Sequence, residues 1–322
     1  MAATDALALQ LARTMRMTEP STATASFRAL AVDMLIETIG RSLAGSRDPF
    51  VDKAMRALAP AAGPSSILGG ERCVAALDAA FANAAAAFIF PGDASSQAAA
   101  VSQAAPLIAA LLALGEARQE TGAKLIDALR AGLSLTARLQ AADVQGKGDT
   151  PCPAQVAALS TAGACALMMG LDDARTARAL ALAVSQQPDI RPSRGGTAAA
   201  LQFGNAARNG LLGALLAAEG VECATALPGN MADARPGDAI EPELPQISPD
   251  LQFERFEAHA ATALPSDNIA ILFERLETID AVPNLAQLGR MLRTGRPVQT
   301  SASFSRIDLA MDETLVETQW VP

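Results

Sequence analysis

With 322 residues, half of them hydrophobic, the chain is long enough for one or two domains with a sizeable core. Aromatic residues make up only 3% and tyrosine is absent, so packing must rely on Ala, Leu, Val and Met, a composition that favours close-packed helices over sheet. A formal charge of -9 argues against a nucleic-acid partner or an anionic membrane, since either needs a basic face.

Asp5 to Met17 carries apolar residues at helical spacing, and Asp5, Arg13 and Arg16 interrupt any apolar signal core. Ser21 to Leu43 restarts the pattern behind Ser/Thr caps and stops at Gly45. Pro60 to Gly70 reads as a Pro/Gly/Ser loop ahead of an Ala-rich helix over 76–90. Ala98 to Leu114 is the longest apolar run, and Ser102, Gln103 and Pro106 leave it too interrupted to span a bilayer. Thr121 caps the next helix, Lys124 to Ala142, which ends in the polar loop Asp143 to Thr150. Ala154 to Met169 follows, and Asp172 or Asp173 then caps Ala174 to Gln186.

Arg194 to Gly220 is the stretch around which the rest is organised. Its glycine pair, Gly195 and Gly196, is poorly suited to a helix interior, whereas everything from Thr197 onward is small or apolar with a helical repeat. Thr197 is the natural N-cap and Gly220 the natural stop. Gly204, Ala206, Ala207, Gly210, Gly213 and Ala214 give this helix a smooth surface that other helix backbones can approach. The fold class expected is all-α, with a helical core over 1–230. A Pro-rich acidic linker over 231–252, helices over 253–294 that return to the core, and a tail over 295–322 follow. The alternation from Ser301 to Val316 suggests a hairpin or an extended arm.

Four segments, in order, carry a resemblance. They are Ala31 to Ser46, Ile67 to Gly70 with the helix after it, Met168 to Asp172, and Leu201-Gln202-Phe203-Gly204-Asn205-Ala206-Ala207. Together they resemble the MmgE/PrpD family, which includes 2-methylcitrate dehydratase, cis-aconitate decarboxylase and iminodisuccinate epimerase. The resemblance implies a dimerising helical core, an α+β lid domain after residue 230, and chemistry in which a proton is moved next to a carboxylate. The frame matches and the chemistry does not. The family lysine falls on Ala199 and a family histidine on Gln202. Another histidine becomes Phe88, the Asp-Phe-Asp-Asp run becomes Pro91-Gly92-Asp93-Ala94, and the histidine after it becomes Ser96. The later His-Pro becomes Ser102-Gln103, a further histidine falls on Pro151 or Cys152, and the lid is missing.

Of the acid/base cluster only Asp93 survives, as a base or as ordinary turn chemistry. Arg191, Arg194, Gly195 and Gly196, with Gln202 beyond them, could grip a carboxylate at the start of the central helix, or the arginines could be solvated. Lys147 reads as solvated and Cys152 as structural, and His259, the chain's one histidine, lies off every family catalytic position. The four cysteines are scattered, without metal-ligand spacing, and read as reduced thiols of a cytoplasmic protein with neither metal nor cofactor. The function expected is a degenerate, non-catalytic member, acting as a homodimeric scaffold, as a subunit beside a full-length paralogue, or as a binder of a small carboxylic acid. The alternative is a divergent lyase or isomerase with Asp93 as base and Arg191 and Arg194 as clamp.

Overall fold

The structure is a computed structural model that describes residues 2–17, 25–90, 96–141, 152–187, 196–228, 231 and 248–293. Among them are twelve α-helices and one two-stranded sheet, so the architecture is mainly α as the composition predicts. The helices are α1 (Ala2–Met17), α2 (Ala25–Gly45), α3 (Pro49–Leu58), α4 (Ala76–Ile89), α5 (Ser96–Arg118) and α6 (Gly122–Ala141). After them come α7 (Pro153–Met168), α8 (Asp173–Ser185), α9 (Gly196–Ala218), α10 (Pro249–Ala260), α11 (Ser266–Glu277) and α12 (Leu285–Met291).

α9 is the hub, packed against α4, α5, α7 and α8. Its glycines assign one face to each of three neighbours. A Cβ at Gly204 would lie 2.9 Å from the Phe81 ring of α4, one at Gly210 2.8 Å from the Ala158 carbonyl of α7, and one at Gly213 2.8 Å from the Ala179 carbonyl of α8. Helices at such short range leave no room for a side chain, and the contact area between backbones replaces what bulkier residues would bury. α9 starts one residue before the expected cap: Gly196, with φ +81°, opens the helix and Thr197 lies inside it. Gly220, at φ +83°, ends it as expected, in a left-handed conformation that costs a glycine little.

Two further expectations are corrected. The segment expected to be a loop holds strand β1 (Ala62–Ser66), which pairs antiparallel with β2 (Cys73–Val74) and carries an irregularity between Ala62 and Ser65. Polar side chains hold it: Ser65 Oγ donates to the Ala113 carbonyl at 2.7 Å, and Asn83 of α4 accepts from the Leu68 N–H and donates to the Ser66 carbonyl. The interrupted apolar run does form a helix that is long and apolar enough to cross a membrane. That stretch, Ala100–Arg118, is mostly buried inside the fold, as a core helix would be. Of the two candidate caps before α8, Asp172 is the one used, accepting from the Arg175 N–H at 2.8 Å.

The C-terminal helices close over the N-terminal ones. α10 and α11 pack on α2, and α12 packs on α5 and β1. The Arg28–Asp280 ion pair and the hydrogen bond from Gln252 to Asp33 tie the same two regions together.

Candidate functional site

Some of the chain positions at which the resemblance places catalytic groups lie among the described residues of α4, α7 and α9, three helices that pack on one another at α9. Phe88 sits at the end of α4, Cys152 caps α7, and Ala199, Gln202 and Phe203 lie in the first half of α9. The local reasons are simple. α4 is an Ala-rich helix that runs out at Phe90, Pro153 sets the first turn of α7 with Cys152 before it, and the small residues of α9 let both come close.

What assembles there is apolar. Phe88 and Phe203 stack with ring centroids 4.4 Å apart and planes 14° apart. Phe203 and Cys152 are buried, and Ala154, Ala157, Ala158 and Ala206 complete a small cluster separate from the main core. Ala199 is buried as well, so the position of the family lysine is a methyl group inside the helix packing. Gln202 is half-buried. Gln103, at the place of a later motif, hydrogen-bonds to Gln140 of α6. Offset aromatic stacking adds about 0.5–1.5 kcal/mol beyond area burial, which makes this cluster a packing element in its own right.

Asp93, Arg191, Arg194 and Gly195 lie outside the described residues, as does Lys147. Gly196 is described as the first residue of α9, and Gln202 lies along the same helix. Among the described residues no group of three or more His, Cys, Asp or Glu could hold a metal ion. All four cysteines are free thiols, and burial pushes the Cys165 thiol up.

His259 is half-buried in the last turn of α10 and is the one histidine of the chain. It sits edge-on to Phe90 at 4.9 Å, against α2 at Gly40, and its Nδ1 is buried without a hydrogen-bond partner. Arg41 of α2 donates to the Phe90 carbonyl at 3.3 Å beside it. Burial lowers the His259 pKa from 6.5, Glu37 opposes that, and Arg41 and Arg255 add to it. A depressed folded pKa means that the neutral ring stabilises the fold above 6.5 and that this contribution is lost as the pH falls through the folded value. A nuclear magnetic resonance titration of this single imidazole should give a midpoint below 6.5. A midpoint at or above 6.5 would show that Glu37 outweighs burial.

Sequence reasoning identified the motif positions and the residues that stand at them, but not that Phe88 and Phe203 meet. The pairing of Phe88 with Phe203 lies far apart in the chain, and its one signal was that phenylalanine stands at or beside two positions where the resemblance calls for histidine.

The family model described as the MmgE/PrpD N-terminal domain matches residues 9–229. A comparison with curated proteins gives no match.

Proposed function

The chain belongs to the MmgE/PrpD family through its N-terminal domain, and from that premise we propose that it is a non-catalytic member whose helical core serves assembly and binding. The observation that carries this reading is the stacked Phe88–Phe203 pair with buried Cys152, an apolar cluster at the place where the resemblance sets proton-transferring histidines. Moving a proton next to a carboxylate needs a base within hydrogen-bond reach and positive groups for the developing charge. A stack of two phenyl rings supplies neither. The spacing of the chain supports the same reading: α10 begins at Pro249, so 231–248 is far too short to hold a lid domain between the helical parts.

The core is then a scaffold, either as a dimer of this chain or beside a full-length paralogue. Incubation with a panel of citrates, aconitates and aspartate-like acids should give no turnover, and native purification should recover an oligomer or a paralogue. Turnover that disappears in Asp93→Asn would overturn the reading in favour of a lyase or isomerase. A thermal-shift panel with the same acids, with Arg194→Ala as control, separates the carboxylate-binding version. A ligand at a hundred times its Kd adds about 2.7 kcal/mol. A shift present in the parent and absent in the variant would show that the arginines hold an acid without converting it.

A further inference from the structure

Away from that cluster, α5 ends on a carboxyl group held almost entirely out of solvent. Glu116 is 4% exposed. Its Oε2 accepts from the Ser66 N–H at 3.0 Å and lies 2.7 Å from Ser66 Oγ. The same Ser66 hydroxyl lies 3.2 Å from the Gly289 carbonyl of α12. A serine hydroxyl carries one proton, so the carboxylate and the carbonyl compete for it. Gly289 is where α12 meets the carboxyl group directly, since a Cβ there would lie 2.1 Å from Glu116 Oε2. The charged group acting on Glu116 is Arg293, just past α12, whose Nη1 lies 2.8 Å from Cys73 Sγ of β2; β1 contributes the neutral Ser66.

We propose that Glu116, Ser66 and the Gly289 carbonyl form a proton-operated latch that fastens α12 to β1 and α5. With Glu116 ionised, the Ser66 proton points at the carboxylate and the Gly289 carbonyl goes without it. With Glu116 protonated, the carboxyl O–H donates to Ser66 Oγ and the Ser66 proton turns to Gly289. One added proton thus joins all three elements in a single hydrogen-bonded chain, by reversing the Ser66–Glu116 bond and making the bond from Ser66 to Gly289.

Burial raises the Glu116 pKa from 4.5 to about 7, against the opposing pull of the two Ser66 hydrogen bonds and of Arg293. The folded value lies above the unfolded one. The stabilisation is therefore fully present below 4.5, is lost as the pH rises through about 7, and changes little above that. Within that window the docking equilibrium of α12 changes by up to about tenfold per pH unit.

Hydrogen exchange of the segment 285–293 in the full chain, measured at pH 5 and pH 8 and corrected for intrinsic rates, tests the latch. Protection is expected to fall by at least about tenfold between the two. Glu116→Gln, which has no proton to titrate at this site, should be protected equally at both. Ser66→Ala should lose most of the gain at pH 5 while keeping the buried carboxyl group. Equal protection of the parent at both pH values would overturn the proposal, as would a Glu116→Gln variant with the parent's pH response. Full pH response in Ser66→Ala would reduce the effect to burial of the carboxyl group and refute the relay. Should Glu116→Gln fail to fold, the parent and Ser66→Ala still decide. His259 in α10 titrates in the opposite sense and raises stability with pH, so it works against the expected fall and cannot mimic it.

Discussion

Gly122→Ala should lower the melting temperature by roughly 4 to 5 °C, the equivalent of about 3 kcal/mol in a chain of 322 residues. Gly122 opens α6, and its N–H donates to the Val282 carbonyl at 2.8 Å. A Cβ there would sit 1.7 Å from the Ile279 carbonyl oxygen, in the 3-10 turn Ile279–Ala281 that precedes α12. A side chain in the way could rotate aside, but this obstacle is backbone. Relief requires the turn to move off α6, which strains the Gly122 and Leu285 hydrogen bonds on either side of it. Gly70→Ala is the control. Its added Cβ would meet nothing closer than 3.5 Å and its φ is not positive, so it should change stability by less than about 0.5 kcal/mol. If the two variants melt alike, the contact between α6 and the C-terminal turn is not as described.

Phe203→Ala should cost about 3 to 5 kcal/mol in a chemical-denaturation measurement. Phe203 is 4% exposed and stacked on Phe88, and its neighbours Ala154, Ala157, Ala158 and Ala206 are too small to move into the space it leaves. Phe88 is only half-buried, so Phe88→Ala should cost less. In a double-mutant cycle the pair should show a coupling of about 0.5–1.5 kcal/mol. A coupling near zero would mean that the rings are neighbours without an energetic link, and that the cluster is weaker than its geometry implies.

Much of the helical frame was legible because its signals are local. The Gly and Ala spacing of α9 announced close neighbours, and Gly220 and Asp172 announced a stop and a start. α3 carried the same kind of signal, Asp48 as cap and Pro49 in the first turn, with the Phe50 N–H bonded to the Asp48 side chain at 2.8 Å, yet it is absent from the helices expected above. The strand Ala62–Ser66 had none. It lacks β-branched or aromatic residues and alternation, and it exists because Ser65, Asn83 and the partner strand satisfy its backbone. Glu116 was equally silent, since Leu-Gly-Glu-Ala-Arg at a helix end looks solvated in one dimension. Burial is a property of what packs on top, and here that is α12, far along the chain. The candidate site divides the same way: its motif positions could be read off in order, whereas the two rings that meet there belong to helices brought together only by the fold.

The stacked rings also bear on which substitutions the fold accepts. A histidine placed at position 88 would face Phe203 and a wall of alanine methyl groups, with no described partner on that side for its ring nitrogens. A polar group placed first at the buried position 203 would meet the same wall, at a cost of about 1–3 kcal/mol. Under the proposed non-catalytic reading the two rings act as a ratchet: each single step toward a proton-transferring group passes through a less stable protein.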